Sequence, residues 1–183
     1  MKRRVSFPSV WLRRSSRPPA YSGVQMALHW LIALLVLLQY STSGAIVRTH
    51  AMHLIGHPQN PTDLLIHALH TKLGLALIAL MVGRLAFRFW AGAPPPGGGG
   101  STWNSRIARF VHAAFYVVLL AEGLTGAVAS YFWWPIRTVH VILFKILLGL
   151  ISIHVAAALW HALYLRDATL SRMIPMRLFG RPG

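Results

Sequence analysis

The chain has 183 residues, of which 55% are hydrophobic and 11% are charged, a balance far from that of a soluble domain. Eighteen Lys and Arg residues against three Asp and Glu give a net charge of +15, which in a soluble protein would suggest nucleic-acid binding. Cysteine is absent, which excludes disulfides, thiolate metal sites, iron–sulfur clusters and covalently attached haem. Any metal chemistry must therefore depend on the ten histidines.

Four apolar runs are each long enough to cross a bilayer, which takes about 20 helical residues. They lie at about 24–46, 64–89, 107–131 and 137–164. Only helices and closed barrels can span a membrane, and these runs have the length of helices. The chain is therefore predicted to be an all-α integral membrane four-helix bundle over residues 21–175, with tails at 1–20 and 176–183.

The basic residues lie between the apolar runs rather than along them. They cluster before the first run, between runs two and three, and after run four. Arg48 and Arg137 are on the opposite side, so the positive-inside rule predicts that both termini are cytoplasmic. This pattern argues against a nucleic-acid partner and for a lipid bilayer.

Two connections between the runs differ in character. The segment from Pro94 to Gly100 cannot continue a helix and is predicted to be a flexible cytoplasmic linker. The outer connection, from about residue 47 to 63, is long enough to contain a short interfacial helix. Its His50, His53 and His57 suggest a transition-metal site, although a solvated loop is the favoured interpretation because no carboxylate or fixed scaffold accompanies them.

Six histidines lie in or at the ends of the predicted spans, where an ionisable side chain is costly and indicates function. They are His29, His70, His112, His140, His154 and His161. Any one alone could equally be a neutral side chain bonded to a neighbouring helix. However, His140 and His154 are 14 residues apart, so they share one face of the fourth span at a separation of about 21 Å. One helix thus offers a ligand near each membrane face.

The depths of the histidines predict two pairs. With the N-terminus inside, His29 can face His154 across a cytoplasmic-side site. His70, near the outer start of the second span, can face His140 across an outer site. Opposed imidazoles are the natural axial pair for a haem iron in a helix bundle. We therefore predict two b-type haems with these four residues as their axial ligands.

Other side chains are weaker candidates around these sites. His112 and His161 lie toward the cytoplasmic side, where they could bond a haem propionate or replace an inner ligand. Arg84 could pair with a propionate of the inner haem or simply anchor the helix at the inner face. His67, one turn from His70, could compete with it as a ligand.

The motifs of the spans form a known pattern between about residues 21 and 175. They are Tyr21-Ser22 leading to His29-Trp30, His70 to Gly74 followed by Arg84 and Arg88, His112 with Tyr116, His140, and the run from Leu150 to Pro175 that contains His154, His161, Asp167 and Leu170-Ser171-Arg172-Met173-Ile174-Pro175. In these motifs the chain resembles the prokaryotic cytochrome b561 family of di-haem membrane cytochromes, which includes superoxide oxidases.

The resemblance implies two b haems ligated as above, a bacterial inner-membrane location and electron exchange with a ubiquinone-type quinone. For some members it also implies superoxide oxidation at the outer haem. We therefore predict a membrane oxidoreductase that passes electrons between an outer-face donor, superoxide first, and quinone. The alternative is a haem-bearing anchor that relays electrons for a redox protein partner such as a dehydrogenase or hydrogenase. A third class, a histidine-lined metal transporter, predicts a colourless preparation.

Two positions depart from the pattern of the resembled family. Phe144-Lys145 stand where the family commonly has a small residue and Asn, and Glu122-Gly123 stand where it often has Leu-Pro. A lone charge costs at least about 2.5 to 3.5 kcal/mol at the centre of a membrane helix, so we predict that Glu122 and Lys145 pair. The alternative is that Lys145 snorkels to the headgroups and Glu122 is protonated.

Overall fold

The computed structural model describes residues 21–92, 102–166, 170 and 173. It contains four long helices, α1 (Gly23–Leu54), α2 (Pro61–Ala91), α3 (Thr102–Tyr131) and α4 (Arg137–Trp160). A 3-10 turn at Trp134–Ile136 precedes α4, and a π-helical turn at His161–Leu165 follows it. The predicted tails and the predicted linker from Pro94 to Gly100 lie outside the described residues.

Each of the four helices is long and apolar enough to cross a bilayer. Large apolar side chains are exposed along them, as at Leu37 (63% exposed) and Val117 (68%). Such exposure is expected where lipid rather than water surrounds the helices. The prediction of an all-α membrane four-helix bundle is confirmed, while the cytoplasmic placement of the termini stays a prediction.

The first two helices begin at residues suited to helix N-termini. Ser22 and Gln25 form a capping box, in which the Ser22 hydroxyl accepts from the Gln25 backbone N–H at 3.2 Å and the Gln25 side chain accepts from the Ser22 N–H at 3.1 Å. The Asn60 side chain caps α2 by accepting from the Thr62 N–H at 2.8 Å. Pro61 follows at the first helical position, where its missing N–H has no cost.

Helix α1 extends past the apolar run that predicted it. It continues to Leu54, so His50 and His53 are helical rather than part of a loop. The chain then turns at Gly56, whose positive φ of 69° is accessible to glycine. The outer connection between α1 and α2 therefore shortens to residues 55–60.

The helices pack in chain order, α1 on α2, α2 on α3 and α3 on α4. Their shared core consists of Ile32, Leu35, Val36, Leu77, Met81, Leu119 and Leu147. In the described part of the chain no Cα atom of α1 comes within 8 Å of one in α4. Side chains bridge this gap instead, as where the Tyr40 and Phe144 rings stack with centres 5.9 Å apart. The backbones of α1 and α4 are therefore farther apart than those of helices that follow one another in the chain, and side chains make the contact between them.

Two polar contacts define one end of the bundle. Gln25 on α1 donates from its side chain to the Gly92 carbonyl at 2.9 Å, and the Trp30 indole donates to the Met173 carbonyl at 2.8 Å. The start of α1, the end of α2 and the segment after α4 thus lie together. This arrangement is expected for an even number of antiparallel spans.

Candidate functional site

Three histidines from three helices converge near the end of the bundle that contains Gln25. The ring centre of His154 on α4 lies 6.4 Å from that of His29 on α1 and 6.0 Å from that of His112 on α3. The Phe115 ring packs edge to face against the His154 ring, with ring centres 5.4 Å apart. All three histidines are half-buried. We call these three residues the inner histidine cluster.

The spacing in the inner histidine cluster suits a metal between opposed rings. Two imidazoles that bind one metal from opposite sides, with metal–nitrogen bonds of about 2 Å, have ring centres about 6 Å apart. Both His29 and His112 meet this spacing with His154. α3 packs directly on α4 while α1 stands farther from it, so His29 and His154 belong to the more widely separated pair of helices. The ligand assignment itself stays a prediction.

His112 is oriented by its own helix. Its Nδ1 lies 2.6 Å from the Ala108 carbonyl oxygen, four residues earlier. A carbonyl can only accept a hydrogen bond, so Nδ1 carries the proton and a neutral His112 has its lone pair on Nε2. His112 therefore offers a lone pair, and no second proton, to whatever occupies the space beside it.

Arg84 on α2 presents a half-buried cation beside the inner histidine cluster. Its Nε donates to the Tyr116 hydroxyl at 3.3 Å, and its charge acts on His29 and His112. Its Nη1 is buried and has no hydrogen-bond partner among the residues that the structure describes. Buried polar groups are normally satisfied, so this nitrogen fits an anionic group between the helices, such as a haem propionate.

At the other end of the bundle, His70 on α2 is oriented by a threonine of α1. The Thr42 hydroxyl donates its proton to the Leu38 carbonyl at 2.7 Å, and the same oxygen lies 2.9 Å from His70 Nδ1. A hydroxyl has one proton, so the Thr42 oxygen accepts from His70. The proton of His70 is thus on Nδ1 and the lone pair is on Nε2, which is the form that binds a metal.

His140 on α4 has the same tautomer for a similar reason. Its Nδ1 lies 2.9 Å from the Glu122 carbonyl oxygen and 3.3 Å from the Glu122 carboxylate, so Nδ1 is the donor. Gly126 makes room for the ring, because a Cβ atom there would lie 2.9 Å from His140 Cε1. His140 also lies near His70. The two predicted outer ligands therefore both have Nε2 available.

The prediction that Glu122 pairs with Lys145 is wrong. Glu122 is 7% exposed and contacts His140, whereas Lys145 is exposed and none of its atoms forms an ion pair with Glu122. Lys145 follows His140 by five residues, which rotates it by about 140° around α4. It therefore points away from the α4 face that packs against Glu122, and similar depth does not bring the two charges together.

His67 and His161, the remaining candidate site residues, lie outside the two predicted ligand pairs. His67 lies one turn before His70 on α2, and its Nδ1 is 3.0 Å from the Thr49 hydroxyl of α1; its competition with His70 for a haem stays a prediction. His161 is the first residue of the π-helical turn, about two turns beyond His154. Within the described ranges, no group of three or more His, Asp or Glu residues is arranged to hold a metal ion.

Sequence reasoning missed the groups that orient the predicted ligands. Thr42 was detectable, since a hydroxyl inside an apolar span needs a partner and often finds one on another helix. The role of the Glu122 carbonyl could not be predicted from the sequence, because a backbone oxygen becomes available to His140 only through helix packing. Gly126 likewise gave no signal beyond the general tolerance of membrane helices for glycine.

Four membrane-spanning helices with histidines brought together at one end and further histidines toward the other are typical of a membrane-bound haem electron-transfer protein. Residues 20–176 match the family described as prokaryotic cytochrome b561, and the chain belongs to that family. The recognition of the family from its histidine motifs is thereby confirmed. The chain is a membrane electron-transfer protein that uses haem b.

Three curated relatives match nearly their whole length. The chain is 30% identical over 165 residues to "Cytochrome b562" of Cereibacter sphaeroides, covering 88% of this chain and 99% of that protein. It is 29% identical over 185 residues to "Cytochrome b561 homolog 1" of Escherichia coli K12, covering 86% and 98%. It is 24% identical over 179 residues to "Probable superoxide oxidase CybB" of Yersinia pestis, covering 86% and 97%.

Proposed function

We propose that the protein binds two b haems and passes single electrons between a donor at the outer face and a ubiquinone-type quinone. The proposed setting is the bacterial inner membrane with both termini in the cytoplasm, and superoxide is the first donor to test. The observation that carries the proposal is the pair His29 and His154, whose ring centres lie 6.4 Å apart between α1 and α4 with the ring planes inclined by 65°. The Nε2 atoms left available on His70 and His140 support the second site.

The chain's own residues account for binding and orientation. When bound, haem supplies a centre that gains and loses one electron. His29 and His154 would hold the inner haem, with Arg84 on a propionate. His70 and His140 would hold the outer one. At the outer site, the hydrogen bonds made by His70 Nδ1 and His140 Nδ1 keep the imidazoles from rotating and make them stronger ligands.

Charge at the outer end supports an anionic donor. Lys72 and Lys145 are exposed there, and the Arg137 guanidinium lies 5.4 Å from the centre of the Trp134 ring. Cations at this end attract an anion and raise the rate at which it arrives. The relative named as a probable superoxide oxidase makes superoxide the anion to test first.

The haem content is the first experiment. A dithionite-reduced spectrum of the purified protein with a haem-to-protein ratio should show two b haems per chain. A ratio of one would overturn the di-haem proposal. A colourless preparation would favour the metal-transporter alternative.

Single substitutions test the ligands. His154→Ala and His29→Ala should each remove one haem and leave the other, since the two sites use different histidines. His112→Ala is the matched control and should retain both, and the opposite result for His29 and His112 would exchange their roles. The double substitution of His140 and His154 by Ala should leave no low-spin haem, because α4 contributes to both sites.

The donor and acceptor are tested by stopped-flow measurement of superoxide-dependent quinone reduction by the isolated protein. Reduction should be abolished by superoxide dismutase and by His140→Ala. An anchor that only relays electrons for a partner dehydrogenase or hydrogenase should be inert without its partner. Inactivity of a preparation that contains both haems would therefore reject the superoxide proposal and favour the anchor.

A further inference from the structure

A second pair of histidines lies beyond the outer haem site, toward the membrane surface. His50 on α1 and His67 on α2 have ring centres 5.2 Å apart. The indole of Trp134 lies against His50, with ring centres 3.7 Å apart and planes inclined by 32°. Both histidines are half-buried. Neither belongs to the proposed haem ligands, and we call these two residues the outer histidine pair.

His67 is oriented in the same way as the proposed haem ligand His70. The Thr49 hydroxyl donates to the Ile46 carbonyl at 3.0 Å, and its oxygen lies 3.0 Å from His67 Nδ1. The proton of neutral His67 is therefore on Nδ1 and the lone pair on Nε2. Thr42 does the same for His70 one turn deeper. The contact between α1 and α2 thus contains two copies of a threonine–histidine arrangement suited to presenting Nε2 to a metal.

His50 supplies an unsatisfied nitrogen. Its Nε2 is buried and has no hydrogen-bond partner within the described part of the chain. A buried polar atom of this kind normally has a partner, and contact with Trp134 restricts how the ring can turn to find one. An electron-pair acceptor between the two rings would satisfy both histidines together.

The spacing of the outer histidine pair differs from that of the inner histidine cluster. Two imidazoles that share one tetrahedral ion, with metal–nitrogen bonds of about 2.0–2.1 Å, have ring centres about 5 Å apart. Opposed ligands of one iron are about 6 Å apart by the same reasoning. The 5.2 Å of the outer pair fits the shared tetrahedral ion, while the 6.0 and 6.4 Å of the inner cluster fit the opposed arrangement.

We propose that His50 and His67 bind one divalent transition-metal ion of the zinc class at the outer face, through their Nε2 atoms. Neutral imidazole suits such ions, and water completes the coordination, since no third His, Asp or Glu joins the pair within the described residues. Two protein ligands make the ion exchangeable rather than structural. The site replaces the loop site suggested by the sequence, because His53 and His57 are exposed and do not contribute.

Zinc binding tests the proposal directly. The full-length, haem-loaded protein is purified with a tag free of histidine, stripped with a chelator and dialysed against zinc sulfate, and bound zinc is counted by mass spectrometry. The wild type should bind one zinc ion per chain. His50→Ala and His67→Ala should each lose it. Thr49→Val should weaken binding by about tenfold or more, as loss of an orienting hydrogen bond does.

The matched controls are His53→Ala and His57→Ala, which should bind zinc as the wild type does. The reduced haem spectrum of every variant, compared with that of the wild type, shows that the bundle has folded. Absence of zinc from the wild type, or retention of it by His50→Ala or His67→Ala, would overturn the proposal. Loss of zinc in either control would overturn the proposal and favour the group of His50, His53 and His57 that the sequence suggested.

A spectroscopic measurement needs no variant that might fail to fold. Copper(II) substituted for zinc should show electron spin echo modulation from two imidazole ligands in the wild type, and from one in each of His50→Ala and His67→Ala. One imidazole in the wild type would exclude a shared ion. Two imidazoles that persist in His67→Ala would place the copper on other histidines and also overturn the proposal.

Discussion

Substituting Gly126 by Ala should disrupt the outer haem site without touching a ligand. The added Cβ atom would lie 2.9 Å from Cε1 and 3.2 Å from Nδ1 of His140. Ordinary contacts between carbon atoms are about 3.5–4.0 Å, so the ring would have to withdraw by roughly 0.6 to 1.1 Å. Such a shift stretches the 2.9 Å hydrogen bond from His140 to the Glu122 carbonyl.

The size of the effect on binding of the outer haem follows from two opposing free-energy contributions. Overpacking of this kind costs about 1–3 kcal/mol, and replacing glycine by alanine inside a helix returns up to about 1 kcal/mol. The remaining cost, up to about 2 kcal/mol, displaces His140 from the position in which it would bind the outer haem. Since each 1.4 kcal/mol is about a tenfold change in an equilibrium constant, affinity for the outer haem should drop by about one order of magnitude.

The assay is the haem-to-protein ratio of purified Gly126→Ala during stepwise haem titration, with the reduced-minus-oxidised spectrum recorded at each step. Gly149→Ala is the matched control on α4, because a Cβ atom at Gly149 meets nothing within 4 Å. The control should bind both haems normally. If Gly126→Ala also binds both with unchanged affinity and spectrum, the proposed role of His140 in the outer site is refuted.

Three further predictions follow from the same geometry. Arg84→Gln should lower the midpoint potential of the inner haem by tens of millivolts, since a nearby positive charge favours the reduced form and about 59 mV corresponds to a tenfold change for one electron. Tyr116→Phe retains the charge and should change the potential less. A redox titration that finds no shift in Arg84→Gln would contradict the placement of this cation. In thermal unfolding, the effects of Glu122→Gln and Lys145→Ala should add within about 0.5 kcal/mol, because the two side chains do not meet; strong coupling would restore their pairing. A reporter fused after Gly183 should be active only in the cytoplasm, and periplasmic activity would reverse the two faces.

Much of the fold follows from the sequence because a bilayer imposes a simple rule. A polypeptide that crosses hydrocarbon must satisfy its backbone internally, so apolar length alone identified four helices. Length also placed each histidine at a depth, which predicted that His29 and His154 would share a level. The end of α1 did not follow from this rule, since backbone hydrogen bonding continues to Leu54 after the apolar run has ended.

The position of a side chain in a helix bundle depends on its depth in the membrane and on the direction in which it points around its helix axis. Glu122 and Lys145 have similar depths, yet packing of α3 on α4 turns the first toward His140 and leaves the second exposed. Packing of α1 on α2 brings His50 to His67 rather than to its neighbours in sequence. The sequence by itself determined which residues share a level of the membrane. Only the tertiary structure decided which of them meet. Successive side chains are rotated by 100° around the helix axis, and the contacts between helices, which hydropathy does not encode, determine which of those directions faces a neighbouring helix.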